Sequence, residues 1–243
     1  MKKIIFCDYD GTFFTDDKSA QQNAKAVKRF RKQGGKFVIA TGRGLSSIRP
    51  MIREYSISFD YLILNNGAFI TNGNEEIIFQ KTISRYTAEK ASDFMKENFN
   101  DILEGVYFYG FGDKTKTPEG IITKMRGQTI GKSRDSAENL EQAINSHFPS
   151  LKAHATWTDL YPEIDYQIVD IMNAETGKDS AIDFILELEG LGAKDATAIG
   201  DGRNDVDMVQ RFKGYAMKHS EDILKSVASG IVDSVEELID SLI

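Results

Sequence analysis

The 243-residue chain has one cysteine, three histidines, no long apolar run and no excess of basic residues. A single thiol, Cys7, can form no internal disulfide, which fits a reducing compartment. Its place inside an apolar run reads as a small buried hydrophobe. His147, His154 and His219 are scattered, which leaves neither a zinc cluster nor a histidine general base. Nothing approaches the length that spans a bilayer. The start, Met1-Lys2-Lys3, is followed by only four apolar residues before Asp8, too few for a signal-peptide core. A net charge of −7 argues against a nucleic-acid protein, which usually shows a basic face. The expectation is a cytoplasmic protein with no membrane segment and no nucleic-acid partner.

What is present is a patterned, core-forming chain. Hydrophobic residues make up 41% and charged residues 28%, enough apolar surface for a packed core. The pattern alternates strand and helix: strands over 3–7, 37–40, 61–64 and 196–199, each a short continuous apolar run of the kind buried on both faces of a parallel sheet. Ser19 is expected to cap the first helix, with Asp16 and Asp17 on the approach to it. A hairpin over 68–80 turns at Asn72-Gly73. Between residues 82 and 175 the character changes to strands near 106–109, 121–125, 152–157 and 166–172 with two helices. The fold class is therefore α/β, a Rossmann-like parallel sheet with helices on both faces. It is formed by residues 1–81 and 176–243 and interrupted by an inserted α+β domain over 82–175.

Ligands of parallel α/β sheets sit at the carboxyl ends of the strands. Four such ends carry polar groups here: Asp8 and Asp10 after the first strand, Thr41-Gly42-Arg43 after the second, Asn65-Asn66-Gly67 after the third, and Asp201 to Asp205 after 196–199. Lys178 opens the helix that precedes this last strand. Taken singly, Asp-x-Asp-Gly is a capped turn and Lys178 a solvated helix-start lysine; acids at two strand ends with a Thr and a Lys between them ask for more. An EF-hand starting at Asp8 fails at Phe13 and Ser19, where Gly and Glu belong. A phosphate loop ending at Gly177-Lys178 fails at Met172 and Asp179, and a dinucleotide fingerprint at Gly200-x-Gly202 fails at Asp205.

The remaining set suits phosphoryl transfer. Carboxylates from Asp8, Asp10, Asp201 and Asp205 in one crevice demand a hard divalent cation, most naturally Mg²⁺. That cation with Lys178 would neutralise a phosphate dianion. The Thr41 hydroxyl and the amides around Gly11, Thr12 and Gly42 would cradle its oxygens. Two residues apart along a strand, Asp8 and Asp10 point alike, so one can serve as nucleophile and the other as general acid.

These residues resemble the haloacid dehalogenase (HAD) superfamily, and within it the Cof-type phosphatases with a large α/β (C2-type) cap. The matching motifs are Asp8-Tyr9-Asp10-Gly11-Thr12, Ala40-Thr41-Gly42-Arg43, Lys178, and Gly200-Asp201-Gly202-Arg203-Asn204-Asp205 with Met208. The resemblance implies that Asp8 attacks phosphorus and becomes an aspartyl phosphate, while Asp10 protonates the leaving alcohol and then activates water. It implies Mg²⁺ held by Asp8, the main-chain carbonyl of Asp10, and Asp201, with Asp205 ligating directly or through an intermediary. Thr41 and Lys178 would hold the phosphoryl group, assisted by Asn204. Arg43 would contact substrate, and the insert would be a cap carrying Tyr107, Tyr109, Lys124 and Trp157 as specificity candidates. Two motifs depart from the family pattern: Asp179 follows Lys178 where Gly is usual, and Lys218-His219 stand where Gly-Asn is usual.

The expected activity is Mg²⁺-dependent hydrolysis of small phosphate monoesters, such as sugar phosphates, by a monomer or homodimer whose partner is a small phosphorylated metabolite. A phosphomutase of the same fold is the alternative. A phospho-acceptor signalling module is more distant, since its acceptor Asp belongs after the third strand, where Asn65-Asn66 stand. A sugar-binding protein with a lapsed site is the remotest, because no catalytic residue is missing.

Overall fold

The computed structural model describes residues 3–111, 114–158 and 163–243, so Met1 and Lys2 of the amino-terminal reading lie outside it. In chain order the elements are β1 (Ile4–Cys7), α1 (Asp17–Lys32), β2 (Lys36–Ala40), α2 (Leu45–Glu54), β3 (Tyr61–Leu64), β4 (Phe69–Asn72) and β5 (Ile77–Gln80). Next come α3 (Arg85–Asn98), β6 (Leu103–Tyr109), β7 (Lys124–Thr129), α4 (Arg134–His147), β8 (Leu151–Thr156) and β9 (Ile168–Asn173). The chain closes with α5 (Lys178–Glu189), β10 (Ala196–Gly200), α6 (Val206–Arg211), β11 (Tyr215–Met217), α7 (Asp222–Val227), β12 (Gly230–Val232) and α8 (Val235–Leu242). It divides into two compact units, residues 1–79 with 177–243, and residues 80–176.

In the first unit eight strands form one sheet in the order β12-β11-β10-β1-β2-β3-β4-β5. β12 through β3 are parallel, and β4 joins β3 antiparallel. Every residue of β1 is buried, as expected of a central strand covered on both faces. Side chains alternate along a strand. Ile4 and Phe6 accordingly join a cluster with Ile182 and Ile185 of α5, Met208 and Val209 of α6, and Leu224 of α7. α1 packs on β2 and against α8 instead. The parallel register pairs Cys7 with both Ile199 and Ile39, so β1, β10 and β2 end side by side.

The second unit has its own antiparallel sheet, β6-β7-β9-β8, and its own core. That core packs Ala88, Ala91 and Met95 of α3 and Leu140 and Ile144 of α4 against Met125, Val169 and Ile171. The alternate residues of β7 and β9 turn away from these helices. Asp170 there accepts two bonds from Arg126, Nε at 2.6 Å and Nη2 at 3.0 Å, and lies 3.2 Å from Lys124 Nζ. Lys124 and Arg126 both stand over the Tyr109 ring. Burial pushes the Lys124 ammonium down to about 8 against the pull of Asp170. Among the described residues no helix is long and apolar enough to cross a membrane.

Two local expectations need correction. The cap of α1 is Asp16, not Ser19: Asp16 Oδ1 accepts from the Ser19 amide at 2.7 Å, and Ser19 Oγ accepts from the Asp16 amide at 3.0 Å. This reciprocal pair starts the helix three residues earlier and gives Asp16 a structural task. The strand expected over 121–125 is instead β7, Lys124–Thr129. Ile122 forms only an isolated bridge to Ile83, while the ladder runs on through polar Arg126 and Gln128. Replacing Asp16 by Ala should lower the unfolding free energy by about 1 kcal/mol, the usual cost of an amino-terminal cap, measured by urea denaturation.

Candidate active site

The site is assembled where β1, β2, β3 and β10 end together. The Asp8 amide still belongs to the sheet, donating to Ile199 O at 2.9 Å, so its side chain is delivered by a rigid strand terminus. The chain then turns sharply. Phe13 N donates to Asp8 O at 3.2 Å and Gly11 N to Phe14 O at 2.9 Å. Gly11 has φ +80°, and a Cβ there would lie 2.2 Å from Asp201 Oδ2, so the position admits only glycine. The turn carries Thr12, whose hydroxyl donates to Asp201 Oδ1 at 2.6 Å. The carbonyl of Gly11 meets His219 Nε2 at 2.7 Å.

At the centre is Lys178, the first residue of α5 and almost fully buried. Its ammonium donates to Asp8 Oδ1 at 2.5 Å and to Asp205 Oδ1 at 2.6 Å. Asp205 Oδ2 in turn accepts from the amides of Asp201 and Gly202 at 3.1 and 3.0 Å, which fixes the loop after β10. Asp8, Asp201 and Asp205 each offer a carboxylate oxygen, and these oxygens lie within 4.8 Å of one another.

Burial sets the electrostatics. It raises the Asp8 carboxyl well above the usual range, against the pull of Lys178 and with the push of Asp205 and Asp201. Burial, then the charge of Asp205, pushes Asp201 up to about 6. For Lys178 burial works downward, but Asp205 and Asp8 outweigh it and hold the ammonium above its ordinary value. Three crowded carboxylates and one buried ammonium leave a surplus of negative charge in low dielectric. That arrangement suits an added hard divalent cation, whose oxygen ligands Asp8, Asp201 and Asp205 could supply. Cys7 is buried behind this cluster, its thiol donating to Asp8 O at 3.0 Å, with its pKa raised by burial.

The loop after β2 is locked in place. Thr41 N donates to Ile63 O at 2.9 Å, Asn66 N to Thr41 O at 3.0 Å, and Asn65 N to Arg43 O at 3.0 Å. Thr41 Oγ1 accepts from the Arg43 amide at 3.1 Å, which leaves its hydroxyl proton able to donate elsewhere. Gly42 packs on the Asn66 side chain, and Asn66 Oδ1 accepts from Asn204 Nδ2 at 3.2 Å. Gly67, at φ +97°, runs so close to α5 that a Cβ would sit 2.2 Å from Gly177 O. The loop after β3 is thereby seated against the residue that precedes Lys178.

Of the residues singled out in the sequence, the structure thus gathers Asp8, Gly11, Thr12, Lys178, Asp201 and Asp205 in one cluster, with Thr41, Gly42 and Asn204 on the adjoining loops. Asp10 differs. The strand stops at Cys7, so the alternation that would aim Asp8 and Asp10 alike does not reach Asp10. Its carboxylate instead accepts a two-pronged contact from Arg43, Nη2 to Oδ1 at 2.7 Å and Nε to Oδ2 at 2.8 Å. Lys178 pairs with Asp8 and Asp205, not with Asp10. His219 stands in the sequence only as a departure from the family pattern, since a lone histidine carries no spacing signal; the structure brings it to the Gly11 carbonyl. In the second unit, Lys124 is buried against Asp170, and Trp157 lies under Arg134 while packing on that unit's core. Lys114 stands over Tyr107 at 4.4 Å.

A family model of haloacid dehalogenase-like hydrolases matches residues 5–242. A 5-amino-6-(5-phospho-D-ribitylamino)uracil phosphatase of Bacillus subtilis, YcsE, is 24% identical over 245 residues, covering 96% of this chain and 90% of its own. A phosphoglycolate phosphatase of Staphylothermus marinus is 21% identical, with 99% of each chain covered. The solved structure of a haloacid dehalogenase-like hydrolase from B. subtilis superposes with a TM-score of 0.81 at 14% identity, over 99% of this chain and all of its own. The last likeness concerns the fold alone. The family match spans nearly the whole sequence, including every strand end that builds the acidic cluster, and the chain belongs to the haloacid dehalogenase-like hydrolases.

Proposed function

We propose that this enzyme is a Mg²⁺-dependent phosphatase of small phosphate monoesters, such as sugar phosphates, working through an aspartyl phosphate on Asp8. In this reading residues 1–81 and 176–243 are the catalytic part and 82–175 the cap, and the enzyme acts in the cytoplasm on a phosphorylated metabolite. The observation that carries it is the pairing of buried Asp8 with Lys178 beside Asp201 and Asp205, in a chain of this hydrolase family. The named relatives act on different phosphate esters, so the proposal stops at the substrate class.

The chemistry follows from the side chains. Lys178 engages Asp8 Oδ1, and among the described residues no protein group donates to Asp8 Oδ2, which is the attacking oxygen. Attack at phosphorus forms the O–P bond to Asp8 and breaks the bond to the alcohol oxygen, which takes a proton from Asp10. Water then attacks the aspartyl phosphate, Asp10 accepts its proton, and phosphate leaves with Asp8 restored. Thr41 donates to the phosphoryl oxygens, with Lys178 and Asn204 beside them; the Gly11 and Thr12 amides, expected to share in this, are held inside the turn by Phe14 O at 2.9 Å and Tyr9 O at 3.4 Å. Asp8, the main-chain carbonyl of Asp10, and Asp201 would hold Mg²⁺, aided by Asp205, and the ion would offset the charge that the carboxylates and phosphate bring together.

A panel of phosphate esters assayed with and without Mg²⁺ tests the reading. Phosphate release should require the metal and vanish in Asp8→Asn, while Asp10→Asn should lower kcat by about 10²- to 10⁴-fold. Full activity in Asp8→Asn would remove the nucleophile assignment, and an isomerised ester without free phosphate would make the enzyme a mutase. Metal binding has its own readout. Mg²⁺ at a hundred times its Kd should stabilise the fold by about 2.7 kcal/mol, seen as a raised Tm, and Asp201→Asn should lose most of the gain. The Asp201 carboxyl is raised to about 6, so protons compete with the cation below that pH and the Tm gain should shrink as pH falls through 6.

A further inference from the structure

The contact between Arg43 and Asp10 asks for an explanation of its own. Both oxygens of Asp10 accept from the flat guanidinium, and such a fork fixes the plane of a carboxylate as well as its position. Arg43 is itself held firmly. Its amide donates to Thr41 Oγ1, its carbonyl accepts from Asn65 N, Nη1 donates to Ser47 Oγ at 3.2 Å, and the guanidinium lies 5.7 Å from the Tyr9 ring. Asp10, by contrast, sits beyond the end of β1 in a turn, where the sheet no longer orients it.

We propose that Arg43 is a positioning residue that acts through Asp10, referring the proton-transferring carboxylate to the same rigid loop that carries Thr41. The inference rests on the phosphatase reading above and deepens it. In each turnover Asp10 takes a proton from the attacking water and, in the next, delivers it to the departing alcohol oxygen as the P–O bond breaks and its electron pair stays on oxygen. Both transfers need the carboxylate within hydrogen-bond reach of an atom whose place is set by the phosphoryl group. Thr41 helps to hold that group and Arg43 orients the carboxylate, so two residues of one loop set the distance between phosphorus and acid. An Arg43 that bound the phosphate directly would instead have to release Asp10 from a contact at 2.7–2.8 Å.

The two roles separate by leaving group. A nitrophenolate departs without a proton, whereas an alkoxide needs one. We would measure kcat and KM for wild type, Arg43→Ala and Arg43→Lys on p-nitrophenyl phosphate and on glycerol 2-phosphate, checking that each variant melts as wild type does. The expected result is a loss of about 10²-fold in kcat/KM on the alkyl ester and under about threefold in kcat/KM on the aryl ester, because kcat/KM reports the transfer to Asp8; kcat itself falls on both, since water attack needs Asp10 in either case. Arg43→Lys should resemble Arg43→Ala, since a point charge cannot fix a carboxylate plane, and added guanidinium ion should restore part of the alkyl-ester rate to Arg43→Ala. Equal losses of kcat/KM on both esters would overturn the inference and make Arg43 a phosphate-binding residue. A wild type that hydrolyses neither ester would sink the phosphatase reading and this inference with it.

Discussion

A buried ammonium holds the acidic end of the sheet together. Without Lys178, Asp8 and Asp205 would face each other across a low-dielectric gap with no cation between them, and breaking such a pair from one side costs a fold dearly. The surrounding architecture serves that contact. β1 delivers Asp8, the loop after β10 presents Asp205, and α5 starts with the lysine. The close approach of Gly67 to Gly177 seats the start of α5 against the end of β3. One ammonium does not neutralise three carboxylates, so the crevice keeps a negative surplus suited to a metal.

The second unit shows the reverse balance. Lys124 and Arg126 share the single carboxylate of Asp170, and two tyrosine rings lie beneath nearby cations. Asp170 stays below the ordinary carboxylate range because Arg126 and Lys124 outweigh the burial that pushes it up. A chain with a net charge of −7 has thus buried a positively biased cluster on the face of its smaller sheet turned away from α3 and α4. Burial of such a group is costly unless its partners are fixed, which the two-pronged Arg126 contact achieves.

The parallel sheet is legible because strands covered on both faces read as unbroken apolar runs; Tyr61–Leu64 stands where its run places it. The meeting of Asp8 with Asp201 and Asp205 could also be anticipated, since parallel neighbours end on one side. Less was visible where polar side chains decide. Arg126 and Gln128 hid β7, because alternation with a polar outer face looks like a loop. The partnership of Arg43 with Asp10 escaped because a long side chain reaches across strands by rotamer, which spacing does not encode. Asp16 reads in the sequence as part of the approach to a Ser19 cap, although acid, two residues and then serine can equally be a reciprocal helix cap.

The pairing of β1 with β10 joins segments from opposite ends of the sequence. Contacts of that span are slow to form, because a long loop must close before they reward it. A nascent chain therefore makes Asp8 first and leaves it without its cluster while the whole second unit is synthesised. Lys178 emerges before Asp201 and Asp205, so the counter-ion precedes the last two acids. The crevice is complete only where β10 lies beside β1, so an intact acidic cluster reports that these two distant segments have met.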